Sequence, residues 1–308
     1  MTQMNDPITL TPGFYQLGIP FFPVYLSMGR EGMLIEGGNS ATTDIIVRQI
    51  EKLGIDPETI KYIALTHSHP DHIGALPRLK KRWPHLKTIA SARAAKNLSN
   101  EKMLKHFKGM DTAISEIMKS KSEISKIPEA LDEYDFTVDI LADENSCFDL
   151  GNGISWSTCP IPGHAGCQTA FFEKKEGTLV IGDAIGFYNP GKDIFWPNYF
   201  ESLSDYTDSI KRLATFPANR IALGHNGVIK DNTRKFLDKA LKATGEYHQE
   251  MLERIGNKET IEDIARDKAE LVWSISDRMP PKVAPMLCQL LIEQSLKTSE
   301  TGNVTFEL

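Results

Sequence analysis

The segment His67-Ser68-His69-Pro70-Asp71-His72 constrains this chain more than any other. It sets three imidazoles and a carboxylate within six residues, directly after the apolar run Tyr62-Ile63-Ala64-Leu65-Thr66. That run is short and bounded, and it reads as a buried strand entering a loop. In an extended or turning segment His67 and His69 point the same way and can share one metal ion. Asp71 and His72 come after the turn and address a second position close by. Neutral imidazole and carboxylate are the ligands that zinc and first-row divalent metals take from proteins.

The pattern recurs. Ile154-Ser155-Trp156-Ser157-Thr158-Cys159-Pro160-Ile161 runs into Pro162-Gly163-His164. Thr178-Leu179-Val180-Ile181 runs into Gly182-Asp183, and Arg220-Ile221-Ala222-Leu223 into Gly224-His225. Each of these ligand-type residues follows a glycine, which lets the backbone turn tightly there. Ligands at the ends of several strands are held rigidly by the sheet beneath them. The isolated His85, His106 and His248 read as ordinary polar residues.

H-x-H-x-D-H, then G-H, G-D and G-H in this order, resembles the metallo-β-lactamase superfamily over about residues 14 to 230. The resemblance implies an αβ/βα four-layer sandwich with a two-metal site at one edge of the sheets. By motif position it implies that His67, His69 and His164 bind one metal, that Asp71, His72 and His225 bind the second, and that Asp183 bridges them. The segments Leu34-Ile35-Glu36-Gly37-Gly38, Asp71 to Pro77, Gly182 to Gly186 and Leu223 to Gly227 resemble the glyoxalase II-like branch. Within that branch they are most similar to the quinolone-signal response thioesterases of pseudomonads, which also carry a helical insertion and a helical tail. Phe187 departs from them, standing where they have a carboxylate, so the substrate does not carry over.

The remaining composition narrows the partners. With 41% hydrophobic and 25% charged residues over 308 positions, the chain is long enough for one large core and an accessory region. A net charge of −6 offers no general attraction to nucleic acid or an anionic membrane. No apolar run approaches membrane-spanning length, and Met1 to Pro7 lacks the pattern of a secretory leader. Cys147, Cys159, Cys167 and Cys288 show no paired spacing and fit free thiols in a reducing cytoplasm. A homodimer is left open.

Along the chain, Val24–Met28 and Met33–Glu36 read as a hairpin, Thr42–Leu53 and Gly74–Arg82 as helices, and Leu86–Ala90 as a strand. This alternation predicts an α/β layered domain. The predicted catalytic domain is 1–232, with a helical cap inserted at about 93–135, and the extension 233–308 reads as three helices. Met103, Leu104, Phe107, Met110, Ile114, Ile117 and Met118 recur at steps of three and four, which suits either core packing or an adaptable cap. Phe187, Tyr188, Phe195, Trp196, Tyr199 and Phe200, the aromatic loop after Asp183, suit either core packing or a substrate-binding wall, for which Phe187, Phe195, Trp196 and Tyr199 are the candidates.

The ligand set implies a chemistry. Two adjacent divalent ions, zinc, iron or manganese, lower the pKa of a bound water and supply hydroxide near neutral pH. One ion polarises a carbonyl, and Asp71 orients or deprotonates the attacking water. The chain offers no separate general acid, which a thiolate leaving group tolerates, since a free thiol has a pKa of about 8.5. The expected substrate is therefore a small acyl thioester or ester. A lactonase uses the same logic, and a regulatory partner protein with a vestigial site is the alternative of another class. A flavin-linked di-iron oxidoreductase would carry Glu at the His69 position and a flavodoxin domain; the chain has neither.

Overall fold

The computed structural model describes residues 6–308 apart from 145 and 303. They form two compact units. The first comprises Met1–Pro160, Thr169–Gly182 and Arg220–Ile229; the second comprises Ile161–Gln168, Asp183–Asn219 and Lys230–Leu308.

Seven strands in spatial order make the first sheet of unit one: β1 (Ile8–Thr11), β2 (Phe14–Ile19), β3 (Phe22–Met28), β4 (Gly32–Ile35), β5 (Ile60–Ala64), β6 (Lys87–Ser91) and β7 (Ile140–Ala142). The first four pair antiparallel through short turns, including the predicted hairpin of β3 and β4. From β4 to β7 the pairing is parallel, which requires crossovers. These carry α1 (Thr43–Lys52), α2 (Pro70–Ile73), α3 (Leu76–Arg82), α4 (Ala92–Leu98) and α5 (Glu101–Ser120).

The second sheet runs β8 (Cys147–Gly151), β9 (Ile154–Pro160), β10 (Thr169–Glu173) and β11 (Thr178–Gly182). Beyond two strands of the second unit it continues with β14 (Arg220–Leu223) and β15 (Val228–Lys230). Tyr25, Met33, Ile35, Ala64 and Ile89 of one sheet share a buried cluster with Leu150, Trp156, Phe171, Val180 and Ala222 of the other. The sheets therefore pack face to face, the expected mixed α/β two-sheet fold. Each large apolar side chain buried there contributes about 1.5–3 kcal/mol.

Local chemistry explains the helices. On α1, Ile45, Ile46 and Ile50 form the buried stripe, and the buried Gln49 amide pairs with the main chain of Gly18 in both directions. On α5 the apolar stripe turns inward: Phe107 and Met118 are fully buried, and Ile114 and Met118 pack with Ile19, Phe22, Ala41 and Ile45. The helical reading of 93–135 holds to Ser120. Beyond it Ser122 adopts φ 59°, and residues 121–139 contain no helix. Pro128 fixes φ and lacks the N–H a helix would need there.

In the second unit, β12 (Phe187–Asn189) and β13 (Ile194–Trp196) pair as a hairpin. It precedes α6 (Leu203–Leu213) and the C-terminal helices α7 (Thr233–Gly256), α8 (Ile261–Ile275) and α9 (Ala284–Thr301). Thr260 caps α8 by accepting from the Asp263 N–H, as its spacing predicts. Among the described residues no helix is long and apolar enough to cross a membrane, and all four cysteines are free.

Candidate metal centre

The chain leaves β5 at Leu65, whose N–H donates to Ile89 O at 2.9 Å, while Thr66 O accepts from Thr169 N at 2.8 Å. One exit point is thus pinned to a neighbouring strand on each side. His69 then takes the cap position before α2, and Pro70 occupies the first turn, where its missing N–H costs nothing. Asp71 and His72 follow on that turn. The sequence therefore fixes four ligand-type side chains on a rigid strand exit and one short helix.

Unit one brings His225 to the same place. After β14, Gly224 N donates to Gly182 O at 2.9 Å, and Asn226 and Gly227 turn the chain with φ of 63° and 93°. The fully buried Tyr25 hydroxyl spans the turn, lying 2.7 Å from Leu223 O and 3.0 Å from Gly227 O. Burial first, and the nearby Glu36 charge second, push the Tyr25 hydroxyl well above its ordinary range, so it stays neutral.

The result is a row of imidazoles. Ring centroids are 4.6 Å apart for His69 and His67, 4.2 Å for His67 and His72, and 5.1 Å for His72 and His225. Asp71 Oδ2 lies 3.6 Å from His72 Nε2 and 3.4 Å from His225 Nε2. Asp71, His72 and His225 offer ligand atoms that all lie within 4.8 Å of one another. His67 Nε2 and His69 Nδ1 face each other at 3.1 Å.

Hydrogen bonds on the far side of these rings decide which nitrogen is available. Glu36 is 1% exposed; its Oε2 lies 3.0 Å from His72 Nδ1, and its Oε1 accepts from the Thr66 hydroxyl at 2.7 Å. With a carboxylate oxygen as acceptor, the hydrogen of that bond sits on His72 Nδ1. The Thr66 hydroxyl spends its hydrogen on Glu36 and accepts from His67 Nδ1 at 3.0 Å. His225 Nδ1 meets Phe21 O at 2.7 Å, and a carbonyl again accepts. All three rings therefore present an Nε2 lone pair. That is the arrangement in which outer carboxylates and carbonyls orient metal-binding histidines.

The second unit holds the other two expected ligands. His164 Nε2 lies 3.7 Å from Asp183 Oδ2, both side chains are buried, and His164 Nδ1 meets Asn198 O at 2.9 Å. That ring has the same tautomer. Gly163, at φ 129°, is required: an added Cβ would sit 2.3 Å from Tyr206 N. Asp183 directly follows Gly182, where a Cβ would sit 2.6 Å from Thr66 Oγ1. The expected ligands thus gather as five in one unit and two in the other, and a donor set of imidazole and carboxylate without thiolate suits divalent metals.

One site residue carried no role of its own in the sequence reading. Glu36 entered that reading as the end of a hairpin strand and within the Leu34-to-Gly38 segment, and its φ of 78° is left-handed, which is uncommon for a residue that is not glycine. A charge directly after the wholly apolar Met33-Leu34-Ile35 was the available signal. Phe200, in the aromatic loop read as core packing or a substrate wall, has its ring 5.3 Å from His164. Phe187, Phe195, Trp196 and Tyr199 are each 9% exposed or less. Phe195 stacks near Phe236 of α7, Trp196 near Phe200, and the Tyr199 hydroxyl shares a 2.8 Å hydrogen bond with Ser295 of α9. Of the isolated histidines, His85 bonds the carbonyls of Pro57 and Ile60 and is structural.

Comparison with known proteins agrees with this geometry. The model of the Metallo-beta-lactamase superfamily matches residues 25–225. The uncharacterized protein YobT of Bacillus subtilis is 24% identical over 242 residues, covering 73% of this chain and 95% of its own length. A beta-lactamase-like protein 2 homolog of Caenorhabditis elegans is 24% identical over 231 residues, covering 74% and 61%. The structure of the metallo-beta-lactamase family protein TTHA1429 from Thermus thermophilus superposes with a TM-score of 0.66 at 19% identity, covering 95% of each chain, and so shares the fold. With two thirds of its length matched by one family model and its ligand-type residues gathered at strand ends, the chain belongs to the metallo-β-lactamase superfamily.

Proposed function

We propose that this chain is a dinuclear metal-dependent hydrolase of the glyoxalase II-like kind, acting on a small acyl thioester or ester. The observation that carries the reading is the three-residue group Asp71, His72 and His225, with Glu36 and Phe21 O fixing the tautomer of both imidazoles. Superfamily membership supports it, since most members are metal-dependent hydrolases.

By motif order His67, His69 and His164 would hold one ion, Asp71, His72 and His225 the second, and Asp183 would bridge them. Bound divalent ions, zinc, iron or manganese, supply a nucleophile at neutral pH and polarise the scissile carbonyl. The chain's own contribution is orientation and proton handling. Asp71 is 26% exposed where His72 is 2%, so the Asp71 carboxylate is the more open of the two to an attacking water. It takes that water's proton as the new C–O bond forms. Phe200 beside His164 offers an apolar surface to the acyl group, backed by Trp196. No neighbouring acid is required for a thiolate to leave.

The test is a panel of acyl thioesters, esters and lactones given to metal-reconstituted protein and to its His69→Ala variant. Hydrolysis of a thioester by the first and not the second supports the proposal. Cleavage of lactones alone moves the assignment to a lactonase, and no cleavage across the panel moves it to a regulatory partner protein.

A further inference from the structure

Asp111 is 8% exposed and lies on the inserted helix α5 rather than on any ligand segment. Its carboxylate closes on the turn before α1: Oδ1 accepts from Asn39 Nδ2 at 2.8 Å and from Ser40 N at 3.1 Å, and Oδ2 accepts the Ser40 hydroxyl at 2.5 Å. That turn is tied to the ligand segment by main-chain hydrogen bonds, beside the Glu36–His72 side-chain pair. Gly37 N donates to His72 O at 2.7 Å, Gly74 N to Gly38 O at 2.7 Å, and Ala75 N to Gly37 O at 2.9 Å. The fit leaves no slack. A Cβ on Gly37 would sit 2.5 Å from His72 O, and one on Gly74 would sit 2.5 Å from Ser40 N. The α5 helix also packs on α2, which carries Asp71 and His72.

We propose that Asp111 is a positioning residue of the metal centre: it holds Asn39 and Ser40, and through the Gly37–Gly38 ladder it sets the place of Asp71 and His72. This rests on the metal-centre reading above. The hydrogen bonds hold this group in surroundings that do not favour a charge. Burial raises its pKa above the usual range, although the Ser40 hydrogen bonds and the Arg78 charge pull the other way. Anchoring the turn from a separate helix also gives the insertion a purpose beyond covering the core.

The experiment measures zinc affinity by competition with a chromophoric chelator on the full chain, with cobalt(II) absorption as a second readout of coordination geometry. Urea unfolding of the metal-free proteins runs alongside. Asp111→Asn keeps the shape but turns an amide N–H₂ toward Ser40, and it should weaken zinc binding about tenfold, as loss of an outer-shell partner does, and shift the cobalt bands. Ser40→Ala should do the same to a smaller extent, and it decides the question where Asp111→Asn does not fold. Phe107→Leu, on the same helix but facing Tyr134 and Phe136, should lower stability and leave zinc affinity and the cobalt bands unchanged. Unaltered zinc binding in Asp111→Asn and Ser40→Ala overturns the proposal, as does equal weakening by Phe107→Leu at matched stability. A wild-type chain that binds no zinc, iron or manganese overturns both this proposal and the metal-centre reading.

Discussion

Oε2 of Glu36 lies 3.0 Å from Nδ1 of His72, two nearly inaccessible groups at the base of the candidate centre. The pair fixes one imidazole through Oε2 and another through Oε1, with the Thr66 hydroxyl as relay. Glu36→Gln replaces one acceptor with a donor, so it cannot serve both neighbours. Metal affinity is expected to fall about 10- to 100-fold, measured by chelator competition. A variant that keeps wild-type affinity would show that Glu36 merely fills space.

Asp71→Asn should lower kcat far more than it raises KM, by about 10²-fold or more. Steady-state kinetics on whichever thioester or ester the panel identifies reads this directly. A change confined to KM would place Asp71 in substrate binding instead.

Two glycine substitutions separate backbone strain from crowding. Gly163→Ala meets both a φ of 129° and the Tyr206 main chain at 2.3 Å, and is expected to cost about 3 kcal/mol or more. Gly54→Ala has a φ of 68° with nothing within 4 Å, and is expected to cost about 1 kcal/mol. Urea midpoints of the two variants give the comparison.

Acid sensitivity should trace partly to His248. Burial holds its pKa below the ordinary value of 6.5, because its neutral ring lies beside Phe306 at 5.7 Å. A folded-state pKa depressed below the unfolded one means that stability is full above about 6.5 and is lost as pH falls toward the folded value. Between pH 7.5 and 5.5, wild-type protein should lose more stability in urea than His248→Gln. Equal losses would remove His248 from the acid limb.

The hairpin of β3 and β4, the strands β5, β6, β9, β11 and β14, and the ligand-type residues at their ends were legible because each rests on local pattern: an apolar run, then either the dense His67-to-His72 cluster or a glycine followed by imidazole or carboxylate. What escaped depends on distant partners. The role of Glu36 appears only once β4 and β5 lie side by side and Thr66 comes within 2.7 Å. The aromatic loop after Asp183 gave no sign that Phe187–Asn189 and Ile194–Trp196 would pair, since three-residue strands leave almost no periodicity to read. The stop at Ser120 was hidden because apolar spacing continues past it, while the left-handed Ser122 that ends the helix has no side-chain signature.

His225 takes its tautomer from Phe21 O, a carbonyl 204 residues earlier in the chain. A growing polypeptide therefore displays His67, His69, Asp71 and His72 long before the imidazole that completes their group exists. Only when β14 has paired with β11 can His225 join them. Metal capture would thus be a late event in biogenesis, and a full-affinity centre would certify that the most distant strands of the second sheet had found their places.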